Sequence, residues 1–236
     1  MAGGGIGVPR RTDPFEEAFA AVGASERRGG YIHFGARRTN PHNGIDLAVP
    51  EGTPIQVPAS RAVLIGITRE GSAAGRSMGN ALIFFVPDER RPYFLALLHL
   101  SPRTFAHLRR SHVSIGSEMS SGPGTGSVVA YSGSSAIQSS APHVHVTATT
   151  EFMFGGRVFT ARNFLAMERG GELARYLRGK NFFALQTRAR IRQPDSLSGY
   201  MDPAALMRDG SLRLSSQPQP ALLASEGGRD RKLAAR

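Results

Sequence analysis

Between Tyr31 and Phe159 the apolar residues come in short runs, each cut off by glycine, proline or a polar cluster. The runs are Gly44–Val49, Thr53–Val57, Ala62–Ile67, Asn80–Val86, Tyr93–Leu98, Ser127–Tyr131 and His143–Ala148. Their length, their β-branched residues and the turn signals between them predict a mainly β domain over residues 31–159. The flanks have a different texture. Residues 1–30 form an N-terminal extension, Gly-rich with Arg/Pro ends, around a short helical candidate at Pro14–Val22 that Asp13 and the proline mark. Beyond Phe159 the pattern turns helical, and residues 160–214 read as a helical, basic extension with candidates at Arg162–Met167 and Gly171–Leu177. Within it, Thr187–Arg192 either places Arg188, Arg190 and Arg192 on one face of a strand or leaves them in a solvated loop. Residues 215–236 carry Ser, Gln, Pro, Gly and charge with little apolar content, and are expected to be a disordered tail.

The chain of 236 residues has 29 Lys and Arg against 18 Asp and Glu, a formal net charge of +11. Such a field favours polyanionic partners: nucleic acid, anionic lipid or the acidic polymers of a bacterial envelope. The basic residues are scattered, with no stripe of interleaved aromatics, so no specific nucleic-acid partner is expected. Cysteine is absent; disulfides and thiolate metal sites are excluded, and any metal must be held by His, Asp or Glu. No signal-peptide pattern is visible at the N-terminus. The most apolar run, Ala81–Val86, is far too short to span a bilayer.

Three segments carry the candidate chemistry: His42-Asn43-Gly44-Ile45-Asp46, Leu98-His99-Leu100-Ser101 and Pro142-His143-Val144-His145-Val146. They hold four of the seven histidines. On a strand, His143 and His145 present two imidazoles on one face while Val144 and Val146 pack on the other. Two adjacent imidazoles stay neutral, share a proton or bind a cation, because two charged rings repel. In the first segment a glycine between His42 and Asp46 lets the backbone turn so that both side chains reach one point. One carboxylate and two imidazoles make three N/O ligands of net charge −1, a set that suits Zn2+ with a fourth position for water.

Jointly the segments resemble the lysostaphin/LytM family of zinc endopeptidases, whose signature is His-x-x-x-Asp, then a Tyr-x-His-Leu-type segment, then His-x-His. The flanks agree: Phe34-Gly35-x-Arg37 upstream, Gly44-Ile45 within the first motif, Gly52-Thr53-Pro54-Ile55 after it, Gly79-Asn80 opening a strand, and Ser132-Gly133 ahead of the last motif. The likeness covers about residues 31–150. It implies an antiparallel β-sheet with a metal groove across one face and one Zn2+ per chain, held by His42, Asp46 and His145. It implies that His99 and His143 are catalytic groups that orient or deprotonate the zinc-bound water and steady the oxyanion. The implied activity is hydrolysis of peptide bonds in bacterial peptidoglycan, with anionic wall polymers as further partners. The implied site of action is extracytoplasmic (periplasm, cell wall or secreted), reached without a visible signal peptide or delivered by a phage virion or lysis.

The chain departs from the family at several points. Leu97 stands where the family has tyrosine, which removes a hydroxyl expected near the site. Ala141 replaces the glycine before Pro-His, and Val144 and Val146 replace Leu and Phe around the final histidine. Gly71–Met78 and Ser117–Gly126 occupy the places of variable groove-forming loops, and their composition predicts mobility. A non-catalytic LytM-like module that binds peptidoglycan and regulates another wall hydrolase is the alternative reading, with Leu97 as its one mark. His33 either lines the groove or is a hydrogen-bonded structural residue. His107 and His112, flanking Arg109-Arg110, read as a solvated helix face, and Asp88-Glu89 as turn chemistry. Gly122, Gly124 and Gly126 lack the Lys-Ser/Thr of a phosphate loop. Nothing in the sequence sets an oligomeric state.

Overall fold

The apolar runs become strands because the main sheet they build is covered on both of its faces. The computed structural model describes residues 31–32, 34–36, 41–56, 59, 61–120, 128–136, 142–209 and 211–212. One antiparallel sheet runs in the order β1 (Tyr31–Ile32), β2 (Ile45–Leu47), β9 (Val144–Thr149), β6 (Tyr93–Leu98), β5 (Ala81–Val86), β4 (Arg61–Thr68) and β7 (Glu118–Ser120). A short strand, β12 (Tyr200–Met201), pairs with β9 beyond the end of β2. Among the described residues there are also two small ladders, β3 (Pro54–Gln56) with β8 (Val128–Tyr131), and the hairpin β10 (Glu151–Phe154)–β11 (Arg157–Thr160). The hairpin turns on Gly155-Gly156, both at positive φ, as a tight two-residue loop requires.

Alternation sorts each strand onto two faces. Val144, Val146 and Ala148 of β9 join Ile45, Leu47, Leu95 and Leu97 in one core. It is covered by the β3–β8 ladder, by Phe105 and Leu108 of α2 (Arg103–Arg110) and by Leu206 and Met207 of α6 (Pro203–Arg208). On the other face Ile65, Ile83, Phe85, Phe94 and Ala96 meet Phe152, Phe164 and Phe182. That cover comes from β10, α3 (Ala161–Arg169), α4 (Leu173–Leu177) and the segment after it. Phe94 sits edge-on to Phe152 and Phe164, with centroids 4.7 and 5.0 Å away, the geometry that ring quadrupoles favour. Residues 181–183 run along β4: the Phe182 N–H donates to the Ile65 carbonyl (3.1 Å), and the Asn181 amide bonds both main-chain groups of Ile67 (2.7 and 2.9 Å). Gly66 permits this approach, because a Cβ there would collide with the Phe182 carbonyl.

The fold is mainly antiparallel β with short helices, as the runs predict. Thr187–Arg192 differs from both alternatives read in the sequence. It contains a helical turn, α5 (Arg188–Arg192), capped by Thr187, whose Oγ1 accepts from the Arg190 N–H (3.1 Å). The two segments read as mobile loops carry regular structure within their described residues: α1 (Gly75–Met78) in one and β7 in the other. β12 and α6 were not anticipated, although Asp202-Pro203 is a capped helix start with proline in the first turn. Pro14–Val22, His33, Arg37, Gly122, Gly124, Gly126, Ala141 and 215–236 lie outside the described residues. No helix among the described residues is long and apolar enough to cross a membrane.

Candidate metal centre

β2 and β9 pair with Asp46 opposite His145, so the two side chains leave the sheet side by side on one face. His42 comes from the loop before β2 and closes over them. Asp46 Oδ1 lies 2.7 Å from His145 Nδ1 and 3.1 Å from His42 Nε2, and the two nitrogens are 3.1 Å apart. All three residues are buried, at 7–8% exposure, and together they form a group that could hold a metal ion. Gly44 does more than let the backbone turn. It passes directly over β9, and a Cβ would strike the Val146 carbonyl and lie 2.7 Å from His145 Nε2 and 2.8 Å from Thr147 Oγ1.

Charge and proton positions suit a cation. Burial alone would raise the Asp46 carboxyl, but hydrogen bonds to His145 and His42, and their charges, hold it well below the usual carboxylate range. Burial lowers His145 below the ordinary imidazole value, against the opposing pull of Asp46. At neutral pH Asp46 is therefore ionised and His145 neutral. His145 Nε2 is 2.6 Å from Thr147 Oγ1. A cation at this point would take the place of the proton between His145 Nδ1 and Asp46; Nε2–H would then be donated to the Thr147 hydroxyl and the Nδ1 lone pair would face the place where Asp46 and His42 converge. Two imidazoles and a carboxylate at this spacing match the donor chemistry of a divalent cation such as Zn2+.

His99 and His143 stand beside the cluster. His143 Nε2 is 3.9 Å from Asp46 Oδ1, and the rings of His99 and His143 are 4.6 Å apart. His99 follows the end of β6 at φ 62°, a backbone state uncommon outside glycine. Its Nδ1 lies 2.9 Å from the Ser135 carbonyl; donating Nδ1–H there leaves Nε2 as the acceptor. Burial, then the charges of His145 and His143, push His99 down to about 4. A buried polar frame holds it: Asn80 Nδ2 and Ser135 Oγ both donate to the Leu100 carbonyl (3.0 and 2.9 Å), and Ser135 Oγ accepts from the Asn80 N–H (2.8 Å).

Thus His42, Asp46 and His145 are brought together, with His99 and His143 alongside. Two expectations fail. Leu97 does not border the cluster: it pairs with Val146 and is fully buried in the core on the opposite face, so a tyrosine hydroxyl there would not replace anything the site uses. Arg109, Arg110 and His112 are exposed at the end of α2, but His107 departs from that solvated face: it is half-buried, its Nε2 binds the Val128 carbonyl (2.6 Å) and its ring packs against Tyr131. Asp88 does act as turn chemistry, its Oδ1 accepting from the N–H groups of Arg90 and Arg91. Thr147 and Ser135 are not singled out by the sequence, and Asn80 is marked there only as opening a strand. Thr147 was within reach, being two residues from His145 on the same face of a strand.

No family model and no curated protein matches the chain. Among solved structures, LytU is 23% identical, covering 58% of this chain and 83% of its own, with a TM-score of 0.39. Lysostaphin, an antimicrobial peptidase from Staphylococcus simulans, is 21% identical, covering 57% of this chain at a TM-score of 0.35; the match takes in 48% of lysostaphin, about half its length. A variant catalytic domain of the prophage-encoded protein EnpA from Enterococcus faecalis is 23% identical, covering 56% of this chain and 86% of its own at a TM-score of 0.34. The likeness is one of fold; with TM-scores below 0.5 it carries no argument for activity, and the functional reading rests on the side chains.

Proposed function

We propose that the chain is a zinc-dependent endopeptidase that cleaves peptide bonds of bacterial peptidoglycan, with His42, Asp46 and His145 holding one Zn2+ and His99 and His143 as the catalytic imidazoles. The observation that carries this reading is the meeting of three donor atoms within 3.1 Å of one another, from positions 42, 46 and 145, beside two further histidines. A zinc ion so held supplies a Lewis acid for the scissile carbonyl and acidifies its bound water to a pKa of about 7. His99, neutral at pH 7 with its Nδ1–H committed to Ser135, offers Nε2 to accept a proton from a water molecule. His143, partly exposed beside Asp46, orients that water or donates to the oxyanion in this reading. The order and flanks of the three motifs support a wall-peptide substrate. The net charge of +11 supports retention on anionic wall polymers at an extracytoplasmic site.

Elemental analysis of wild type and His145→Ala, run beside release of label from cell walls, tests the reading. The expected result is about one zinc per chain and chelator-sensitive release, both lost in the variant. Zinc retained by His145→Ala would refute the ligand set. Zinc-loaded wild type that binds walls and releases nothing would make it a binding module.

A further inference from the structure

We propose that α5 and β12 form a brace that sets the position of His42, with Arg190 and Tyr200 as its positioning residues; this rests on the metal reading above. His42 is delivered by a loop, and a ligand on a loop must be fixed by contacts from elsewhere. Its two chain neighbours, Pro41 and Asn43, both meet the same distant segment, and Pro41 is hydrogen-bonded to it. The Arg190 Nη1 donates to the Pro41 carbonyl at 3.0 Å, in a part-buried contact. The Tyr200 hydroxyl lies beside the Asn43 side chain and donates to the Leu185 carbonyl at 3.1 Å.

The segment that makes these contacts is itself anchored. Thr187, fully buried, caps α5. The Gln186 carbonyl accepts from the Met153 N–H at 2.8 Å, locking the approach to α5 onto β10. Tyr200 and Met201 pair with Thr149 and Ala148 of β9, the strand that carries His145. Through this route the loop ligand is referenced to the same strand as the strand ligand, from residues that come well over a hundred positions later in the chain.

The test is zinc affinity by chelator competition for wild type, Arg190→Ala, Arg190→Lys and Tyr200→Phe. Arg188→Ala serves as the control, an exposed arginine of the same helical turn, and thermal unfolding of every zinc-free protein is measured alongside. Zinc binding should weaken about 10- to 100-fold in Arg190→Ala and Tyr200→Phe. It should recover in part with lysine, which can still donate to the Pro41 carbonyl, and be unchanged in Arg188→Ala. Should Arg190→Ala fail to fold, Tyr200→Phe decides, because it keeps the ring and loses only the hydroxyl. Unchanged affinity in Tyr200→Phe, or equal weakening in Arg188→Ala, overturns the brace. Wild type that binds no zinc overturns the metal reading and the brace with it. Zinc bound by wild type and lost in His145→Ala leaves the metal reading standing whatever the brace variants do.

Discussion

Thr147 lies two residues beyond His145 on β9, and its hydroxyl is the partner of His145 Nε2. It is 3% exposed, so no bulk water stands ready to replace it. Thr147→Val keeps the shape and removes the acceptor, which leaves an imidazole N–H buried and unsatisfied and lets the proton move to the nitrogen that faces Asp46. Zinc affinity should fall about 10- to 100-fold, with Thr147→Ser near wild type. Chelator competition measures this, and equal affinity in the valine variant would reduce Thr147 to a packing role. At this scale the sequence was informative where chemistry follows strand alternation or short spacing, as for His42, Asp46, His143 and His145. It was silent where partners meet across long separations: nothing local to Asn80 announces Ser135, 55 positions on. Gly44 shows a subtler gap, since glycine spacing reads as a turn while the real constraint is a strand passing too close for any Cβ.

The elements are joined by contacts with very different weights. Arg61 of β4 donates to both carboxylate oxygens of Glu118 on β7 (2.7 and 2.8 Å) and reaches Glu168 on α3 at 2.6 Å, tying three elements together. The Arg61 and Glu118 side chains are 40% and 51% exposed, so the network stabilises by about 0.5–1 kcal/mol. The hydrogen bond from Arg61 holds the Glu118 carboxyl below its ordinary 4.5. A depressed carboxyl stabilises the fold at pH values above its unfolded value, and that contribution is lost as pH falls through the folded one. Urea unfolding of Arg61→Ala should therefore show a deficit of that size at neutral pH, shrinking below pH 4.5 and at high salt. A deficit that stays constant under acid would assign Arg61 to packing instead. Long apolar runs such as Tyr93–Leu98 were legible as strands because their burial on both faces is written in composition. β7 and β12 were not, because with three and two residues they are held by neighbours and not by their own pattern.

Across the whole molecule, residues beyond 160 supply one lid of the sheet. Phe164, Leu173, Leu177 and Phe182 complete the aromatic core around Phe85, Phe94 and Phe152, and α6 closes the opposite face. Ending the chain after residue 160 would leave fully buried rings of β5 and β6 facing water. The truncated protein should be insoluble, or soluble with lost near-ultraviolet dichroism and strong dye binding. A cooperative fragment with native dichroism would show that the first 160 residues fold unaided. The sequence marked this region as helical and basic but gave no sign that its phenylalanines enter the sheet's core, because helices of five to nine residues carry too few turns to reveal which side is covered.

The same alternation that gives β9 an imidazole-and-hydroxyl edge on one side and an aliphatic edge on the other imposes a parity rule on it. Adding or deleting a single residue ahead of His145 would exchange the two edges, sending histidine into oil and valine into the site, with no intermediate degree of damage. Length variation among natural variants is thereby expected in the loops, while this strand changes by substitution alone.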